Sequence, residues 1–537
     1  MSEHRGGARA RRGRAALRLC IALFVPWAWM PPALAQSNGS SLTDASILSW
    51  LEAQPRTRAA LPCTALLSAG DATVTIISAE PAADRPEVCR VHGVLLPELE
   101  FMLEMPEAWN GRLYAIGNGG YGGESVTGEH AQAERSRATG LGFATLFSNL
   151  GHDRLREPGA DWARGRLDRK LDYGLRGLHA STLAARELLR RRFGAPPHRS
   201  YFDGCSTGGG QALKEAQRFP EDFDGLLGGA PVFDFVELQV YGWNNQMAVL
   251  EAPLTTDAVK RLSRRILSRF DAADGLADGI IQDPQAIHFE PRRDLAGAGF
   301  SDREIDAFSR VYAGTVVAGR TLAPGVPVGS EAWGRTYQGA GFEAAGEESG
   351  WATRLIPDSH GASQQRGNVE AWLKYLAFAE DRPDMDITRF DPARDLPRLA
   401  AMSRLLDAKD PDLSRFEARG GKLILYHGWA DTGVNPLTTV HYFERITPRR
   451  ESFARLYMVP GMFHCRGGLG VDRFDGMAAL IAWVERGEAP GALVASRIEG
   501  GRTLRTQPLC PYPQVARYRG QGSGNEARNF LCAPPSH

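Results

Sequence analysis

Residues 200–217 read SYFDGCSTGGGQALKEAQ. Ser200–Asp203 has the aromatic content of a short strand, and the residues through Gln217 read as a helix. Between them lies Gly204-x-Ser206-x-Gly208. A serine flanked by glycines two residues away, at a turn from strand to helix, is the arrangement that exposes a nucleophilic hydroxyl above a sheet. The glycines are needed because the turn is too tight for side chains on either side. The helix that follows directs its positive N-terminal end at the site. In a chain with 60 glycines the pattern alone carries little weight; the flanking strand and helix supply the rest.

Strands and helical stretches alternate outward from this turn. Leu113–Ile116 is a strand running into a glycine-rich loop at 117–123, Gly142–Asn149 is a second, and Gly177–Phe193 is an amphipathic helix with Leu178, Leu183, Leu188 and Leu189 on or near one face. Gly225–Gly228, Lys422–Tyr426 and Ala454–Val459 complete the strand set. Such alternation predicts an α/β fold with a mostly parallel sheet covered on both faces. The core is expected in two parts, 36–232 and 417–537, around an inserted lid domain at 233–416 where strand signals thin out. Aromatic residues are frequent there: Trp243, Trp333, Tyr337, Phe342, Trp351, Trp372, Tyr375 and Phe378. Most are expected to fill a core, and some to face a substrate.

A serine nucleophile needs a base, and the base needs an orienting acid. On α/β sheets of this kind the chain order is Ser, acid, His. Asp431 follows the Lys422–Tyr426 strand and His464 follows Ala454–Val459, so both fall in loops at strand C-terminal ends. His427 competes for the role of base because it ends the same strand that leads to Asp431. Acid and base from successive strand ends favour Ser206, Asp431 and His464. The oxyanion of an acyl-transfer intermediate needs two N–H donors. Thr207 is one, and the loop at 117–123 is the natural source of the other.

Charge and cysteine content narrow the setting. The chain has 537 residues, with 63 Lys+Arg against 63 Asp+Glu. With no basic excess there is nothing to hold a phosphate backbone, so nucleic acid is not an expected partner. Six arginines (Arg5, Arg9, Arg11, Arg12, Arg14, Arg18) precede the apolar run Leu19–Met30 and the small-residue site Ala33-Leu34-Ala35. This order predicts a signal peptide at 1–35 and a periplasmic or secreted product. The run falls short of the ~20 apolar residues of a membrane span and is broken by Pro26, so no stable membrane insertion is expected. Six cysteines remain after residue 35, which in an exported protein favours disulfides. Sequence does not choose among the fifteen pairings, although proximity favours Cys63 with Cys89 and Cys510 with Cys532. That leaves Cys205, beside Ser206, and Cys465, beside His464. If nucleophile and base meet, these neighbours fall within the ~4.4–6.8 Å between α-carbons that a bridge spans.

Asp271, Asp274 and Asp278 are separated by glycine turns. Two readings stand: a pair of Asp-Gly turns, or oxygen ligands for a hard cation. No His/Cys cluster suits zinc or iron.

The chain resembles the tannase and feruloyl esterase family of α/β-hydrolases. The resemblance rests on Gly204-Cys205-Ser206-Thr207-Gly208-Gly209, the Asp431 segment, the His464-Cys465 pair, Asn110-Gly111-Arg112, the glycine loop, Arg218-Phe219-Pro220, Val484-Glu485-Arg486-Gly487-Glu488-Ala489-Pro490 and Pro508-Leu509-Cys510-Pro511-Tyr512-Pro513. It implies a serine carboxylic-ester hydrolase acting on small aromatic esters, feruloyl first and galloyl next, with Cys465 bridged to Cys205 and Gly120 as the second oxyanion donor. It further implies a structural calcium in the insertion, held by carboxylates of Asp271, Asp274 and Asp278 and main-chain oxygens of Leu276 and Ile280. The resemblance also admits mono(2-hydroxyethyl) terephthalate or a related aromatic monoester as substrate. Its free carboxylate would require a cation in the lid, for which Arg335, Arg354, Arg366 and Lys374 are available; Val434 is smaller than an aromatic clamp would be. A serine peptidase would use the same triad, whereas a non-catalytic binder would have lost a triad member, and none is missing.

Overall fold

The computed structural model describes residues 42–128, 132–338, 343–357, 363–446 and 449–535. The expected signal segment, 1–35, lies outside them. Nine strands form the central sheet: β1 (Val74–Ala82), β2 (Arg85–Leu95), β3 (Leu99–Pro106), β4 (Arg112–Ile116), β5 (Ala144–Ser148), β6 (Arg199–Cys205), β7 (Gly225–Gly229), β8 (Lys422–Gly428) and β9 (Ala454–Val459). Their order across the sheet is β9-β8-β7-β6-β4-β5-β3-β2-β1. From β9 to β5 every neighbouring pair is parallel, and from β5 to β1 every pair is antiparallel. The sheet is therefore mostly parallel, as the alternation of strands and helices predicts. The antiparallel strands β1–β3 are joined by short turns and have no crossover helices, so that alternation does not announce them.

Helices α1 (Gly177–Phe193), α2 (Thr207–Arg218), α3 (Phe235–Glu251), α4 (Gln364–Tyr375), α5 (Pro436–Arg445) and α6 (Gly476–Arg486) matter most for the site. α1, α2 and α5 pack with the sheet in one hydrophobic cluster, which includes Leu188, Leu213, Leu226, Leu425 and Val440. α6 builds a second cluster with Leu227, Ile424 and Tyr426. Buried strands of this kind read as nearly continuous apolar runs. A buried ion pair ties the two parts of the core: Arg112 in β4 donates to Glu485 in α6 at 2.6 and 3.0 Å, and the Tyr201 hydroxyl of β6 donates to the same carboxylate at 2.8 Å. Burial opposes the Glu485 charge, but these donors hold its carboxyl below the ordinary value.

The segment between β7 and β8 is mainly helical. It also contains two hairpins, Thr315–Val317 with Arg320–Ala323 and Trp333–Gln338 with Glu343–Ser349. These interrupt the strand-poor pattern expected there. Trp351, Trp372, Tyr375 and Phe378 are buried in a third cluster, which also takes in Leu150, Trp162, Tyr173 and Val434 from outside the segment. No helix among the described residues is long and apolar enough to cross a membrane.

Candidate active site

Because β4, β6, β8 and β9 run parallel, their C-terminal ends open on one edge of the sheet, and four loops meet there. Ser206 follows β6 directly. It adopts φ 64° and ψ −118°, a conformation that L-residues rarely hold. The backbone around it is fixed, because Ser206 N–H donates to Gly229 O at 2.9 Å and Val232 N–H to Ser206 O at 2.9 Å. A Cβ on Gly204 would lie 2.7 Å from the Gly208 backbone, which is why this turn requires glycine.

His464 Nε2 lies 2.9 Å from Ser206 Oγ, and His464 Nδ1 lies 2.6 Å from Asp431 Oδ2. Ser206, His464 and Asp431 thus form one hydrogen-bonded line from segments 258 and 33 residues apart in sequence. Asp431 is fully buried. Its Oδ1 accepts from the Gly433 and Val434 amides at 2.7 and 3.0 Å. Burial alone would raise its carboxyl, but His464 and His427 outweigh that and hold it far below the usual carboxylate range. His427, the competing histidine, does not face Ser206; its Nε2 stands 3.1 Å from Asp431 Oδ2.

Three disulfides are present: Cys63–Cys89, Cys205–Cys465 and Cys510–Cys532. The second links residues 260 apart at a Cα–Cα distance of 6.0 Å and joins the neighbours of Ser206 and His464. Cys465 also holds a left-handed backbone, φ 64°.

The loop at 117–123 is firmly held. Asn118 donates to Glu124 and to Ser148 O at 2.9 and 2.8 Å, and Gly119 N–H donates to Glu124 at 3.0 Å. Gly120 takes φ +56°, where glycine is favoured. Its carbonyl accepts the Thr207 hydroxyl in a short hydrogen bond and the Tyr173 hydroxyl at 3.3 Å. Thr207 opens α2, where the first N–H groups have no intrahelical acceptor. Both residues line the cleft over Ser206.

That cleft measures about 1190 Å³. Its apolar wall includes Phe235, Leu238, Ile356, Pro357, Val434 and Phe463. Trp243, Trp333, Trp351, Trp372, Tyr375 and Phe378 do not line it. These indoles and rings pack the insertion instead, with Trp333 under Lys260 Nζ at 4.5 Å; Phe342 and the Tyr337 side chain lie outside the described residues. Sequence reasoning missed Phe235 and Phe463, although Phe463 directly precedes His464. Of the four candidate cations, Arg366 pairs with Glu370 at 2.9 Å and Arg335 with Glu499 at 3.4 Å, while Lys374 does not line the cleft. Arg354 lines it, hydrogen-bonds the Gln364 side chain, and forms no carboxylate ion pair among the described residues.

Asp271, Asp274 and Asp278 share one loop with oxygen-only donors, the chemistry a hard cation prefers. Burial, then Asp278 and Asp271 close by, push Asp274 up to about 6. Their carboxylates accept loop amides, from Gly279 at 2.9 Å, Leu276 at 3.0 Å and Ile280 at 3.1 Å, and Arg505 donates to Asp278 at 2.6 Å. Among the described residues, the group whose ligand atoms lie within 4.8 Å of one another is a different one: His179, Glu215 and Asp222. Arg186 already donates to Asp222 there, at 3.4 Å.

The family profile described as tannase and feruloyl esterase matches residues 85–533. The chain belongs to the tannase and feruloyl esterase family. It is a carboxylic ester hydrolase. The mono(2-hydroxyethyl) terephthalate hydrolase of Piscinibacter sakaiensis is 34% identical over 522 residues, covering 84% of this chain and 86% of that one. The probable feruloyl esterase B-1 of Aspergillus oryzae is 27% identical over 474 residues, covering 80% of each. The crystal structure of feruloyl esterase B from Aspergillus oryzae superposes with a TM-score of 0.73 at 24% identity, covering 86% of this chain and 97% of that one. The fold is that of an α/β-hydrolase.

Replacing both Cys205 and Cys465 by serine is expected to cost roughly 2–5 kcal/mol of unfolding free energy. The same variant should lower kcat on an aryl ester under conditions where it is still folded. Denaturant titration and steady-state kinetics on one preparation check both; full activity in the folded variant would show that the bridge does not hold the histidine on the serine.

Proposed function

We propose that this family member is an exported serine esterase that hydrolyses aromatic carboxylic esters through Ser206, His464 and Asp431. The unbroken hydrogen-bonded line from Ser206 Oγ to Asp431 carries the reading. Ser206 Oγ attacks the ester carbonyl while His464 Nε2 takes its proton, and Asp431 stabilises the imidazolium through Nδ1–H. The Thr207 and Gly120 amides hold the oxyanion. His464 returns the proton to the departing alcohol, and water, activated by the same imidazole, releases the acid from Ser206. The apolar wall of the cleft receives the aromatic acyl group, with hydroxycinnamoyl and galloyl esters as the first candidates. Export is supported by the arginine-rich start with its apolar run and by the three disulfides.

One observation favours a second substrate reading. Arg354, which forms no carboxylate ion pair among the described residues, brings a guanidinium to the cleft, where it would meet a free carboxylate such as that of mono(2-hydroxyethyl) terephthalate.

Calcium at Asp271, Asp274 and Asp278, with the Leu276 and Ile280 carbonyls, would neutralise crowded carboxylates and stiffen the insertion. It would take no part in bond cleavage.

Ser206→Ala should lower kcat on methyl ferulate by about 10⁴-fold or more, with circular dichroism unchanged; turnover near the wild-type rate would overturn the reading. A panel of methyl ferulate, methyl gallate and mono(2-hydroxyethyl) terephthalate, compared by kcat/KM, ranks the substrates. In Arg354→Met the carboxylate-bearing ester should lose roughly tenfold or more while the neutral esters change little. An equal loss on all three would place Arg354 in support of Asp431 rather than substrate. Chelation should lower Tm by several degrees, with recovery on added Ca²⁺, and leave ester hydrolysis at 25 °C unchanged; an unmoved Tm removes the metal.

A further inference from the structure

His427 is a fully buried histidine at the end of β8, and the reaction described above gives it no part. Its Nε2 lies 3.1 Å from Asp431 Oδ2 and 3.1 Å from Val434 O. Both neighbours are acceptors, so the ring hydrogen sits on Nε2. Its Nδ1 lies 2.8 Å from Thr439 Oγ1 in α5 and accepts that hydroxyl. Thr439, itself buried, seats the ring through Nδ1, while the two acceptors at Nε2 set the tautomer.

Asp431 Oδ2 consequently receives two imidazoles, His464 Nδ1 at 2.6 Å and His427 Nε2 at 3.1 Å. We infer that His427 is a positioning residue for the acid: by donating to Oδ2, it fixes where the Asp431 carboxylate stands and how much of its negative charge reaches His464. The inference rests on the proposed triad. His427 does not touch Ser206 and does not itself line the cleft; it reaches the site through Asp431 and through the Val434 carbonyl. Its place in the chain explains the geometry. β8 ends at Gly428, and the turn that follows, in which Asp431 N–H donates to Gly428 O at 3.2 Å, brings Asp431 beside His427, four residues before it.

The other groups that bear on this carboxylate are few. Arg354 attracts it, and the Tyr241 hydroxyl, raised first by burial and then by Asp431, donates to Thr432 O at 3.2 Å. Neither donates to Oδ2, so neither can replace His427 there.

The test compares His427→Phe, which removes the donor, with His427→Gln, whose amide can return an N–H to the position of Nε2, and with Thr439→Val, which removes the hydroxyl that seats the ring through Nδ1. Each is measured for Tm, for kcat and KM on methyl ferulate, and for the pH dependence of kcat/KM. His427→Phe should lower kcat about ten- to a hundredfold with KM little changed. The acid limb of its profile, which reports protonation of the Asp431–His464 pair, should move to higher pH, because the carboxylate then holds the imidazolium more tightly. His427→Gln should regain most of kcat and the original limb, and Thr439→Val should move the limb in the same direction by less. If His427→Phe folds and retains both kcat and limb, or if Gln fails to rescue and no limb moves, His427 is only a packing residue and the inference falls. Should His427→Phe not fold, Thr439→Val decides: a shifted limb supports the assignment and an unshifted one overturns it. Ser206→Ala runs alongside. Turnover in that variant would fail the triad itself, whereas its inactivity beside a normal His427→Phe would fail only the role of His427.

Discussion

A carboxylate shut away from water is the constraint around which the site is built. The ordinary cost of burying an unpaired charge is several kcal/mol, and a carboxyl left without donors takes up a proton. Asp431 avoids that with four donors: two loop amides on Oδ1 and two imidazoles on Oδ2. In the proposed mechanism a protonated Asp431 could not stabilise an imidazolium, so the charge assigned to His464 during proton transfer depends on this set of hydrogen bonds. The donors come from β8, from the loop after it and from the loop after β9. Folding of the sheet edge therefore assembles the donors that keep Asp431 ionised.

The same edge stores backbone strain and restrains it. Ser206 and Cys465 both sit at φ 64° without being glycine, a conformation that costs of order 1 kcal/mol or more for a residue with a Cβ. Each belongs to one half of the same joint, because Cys205 precedes Ser206 and bonds to Cys465, which follows His464. A bridge across 260 residues limits how far the histidine can drift from the hydroxyl. The Gly229 carbonyl and Val232 amide hold the serine from the other side.

The parts most legible in the sequence were those set by local geometry. The elbow at Ser206 needs glycine at 204, and the parallel strands that frame it need apolar runs, so both leave a pattern. The sequence pattern places strand ends within a residue or two at β4, β6, β7 and β9. The choice between His427 and His464 rests on chain order, on successive strand ends and on the cysteines beside Ser206 and His464, because residue type cannot make it; in the structure one faces Ser206 and the other backs Asp431. The antiparallel strands β1–β3 leave no alternation of strand and helix, since their turns are short and no helices separate them. The described aromatic residues singled out in the insertion mostly fill its core, as expected, but the sequence does not show which rings reach the cleft, for a plain reason. A large ring is equally suited to a core and to a cleft, and the indoles of Trp351 and Trp372 are buried in the insertion while Phe235 and Phe463 reach the cleft. Composition cannot tell these apart.

The insertion does more than cover the site. Thr432, next to the acid, donates to Gly350 O at 2.7 Å and accepts the Tyr241 hydroxyl at 3.2 Å. Asn435 donates to Pro324 O and Gly325 O, both at 2.9 Å. Val434 packs in the same cluster as α3 and α4. The loop that carries Asp431 is thus built half from the sheet and half from the segment between β7 and β8. A substrate that presses on Phe235, Ile356 or Val434 bears on the scaffold that sets the acid, so changes in the wall of the cleft should be felt in kcat as well as in KM. A lid that merely closed over a finished site would leave kcat alone.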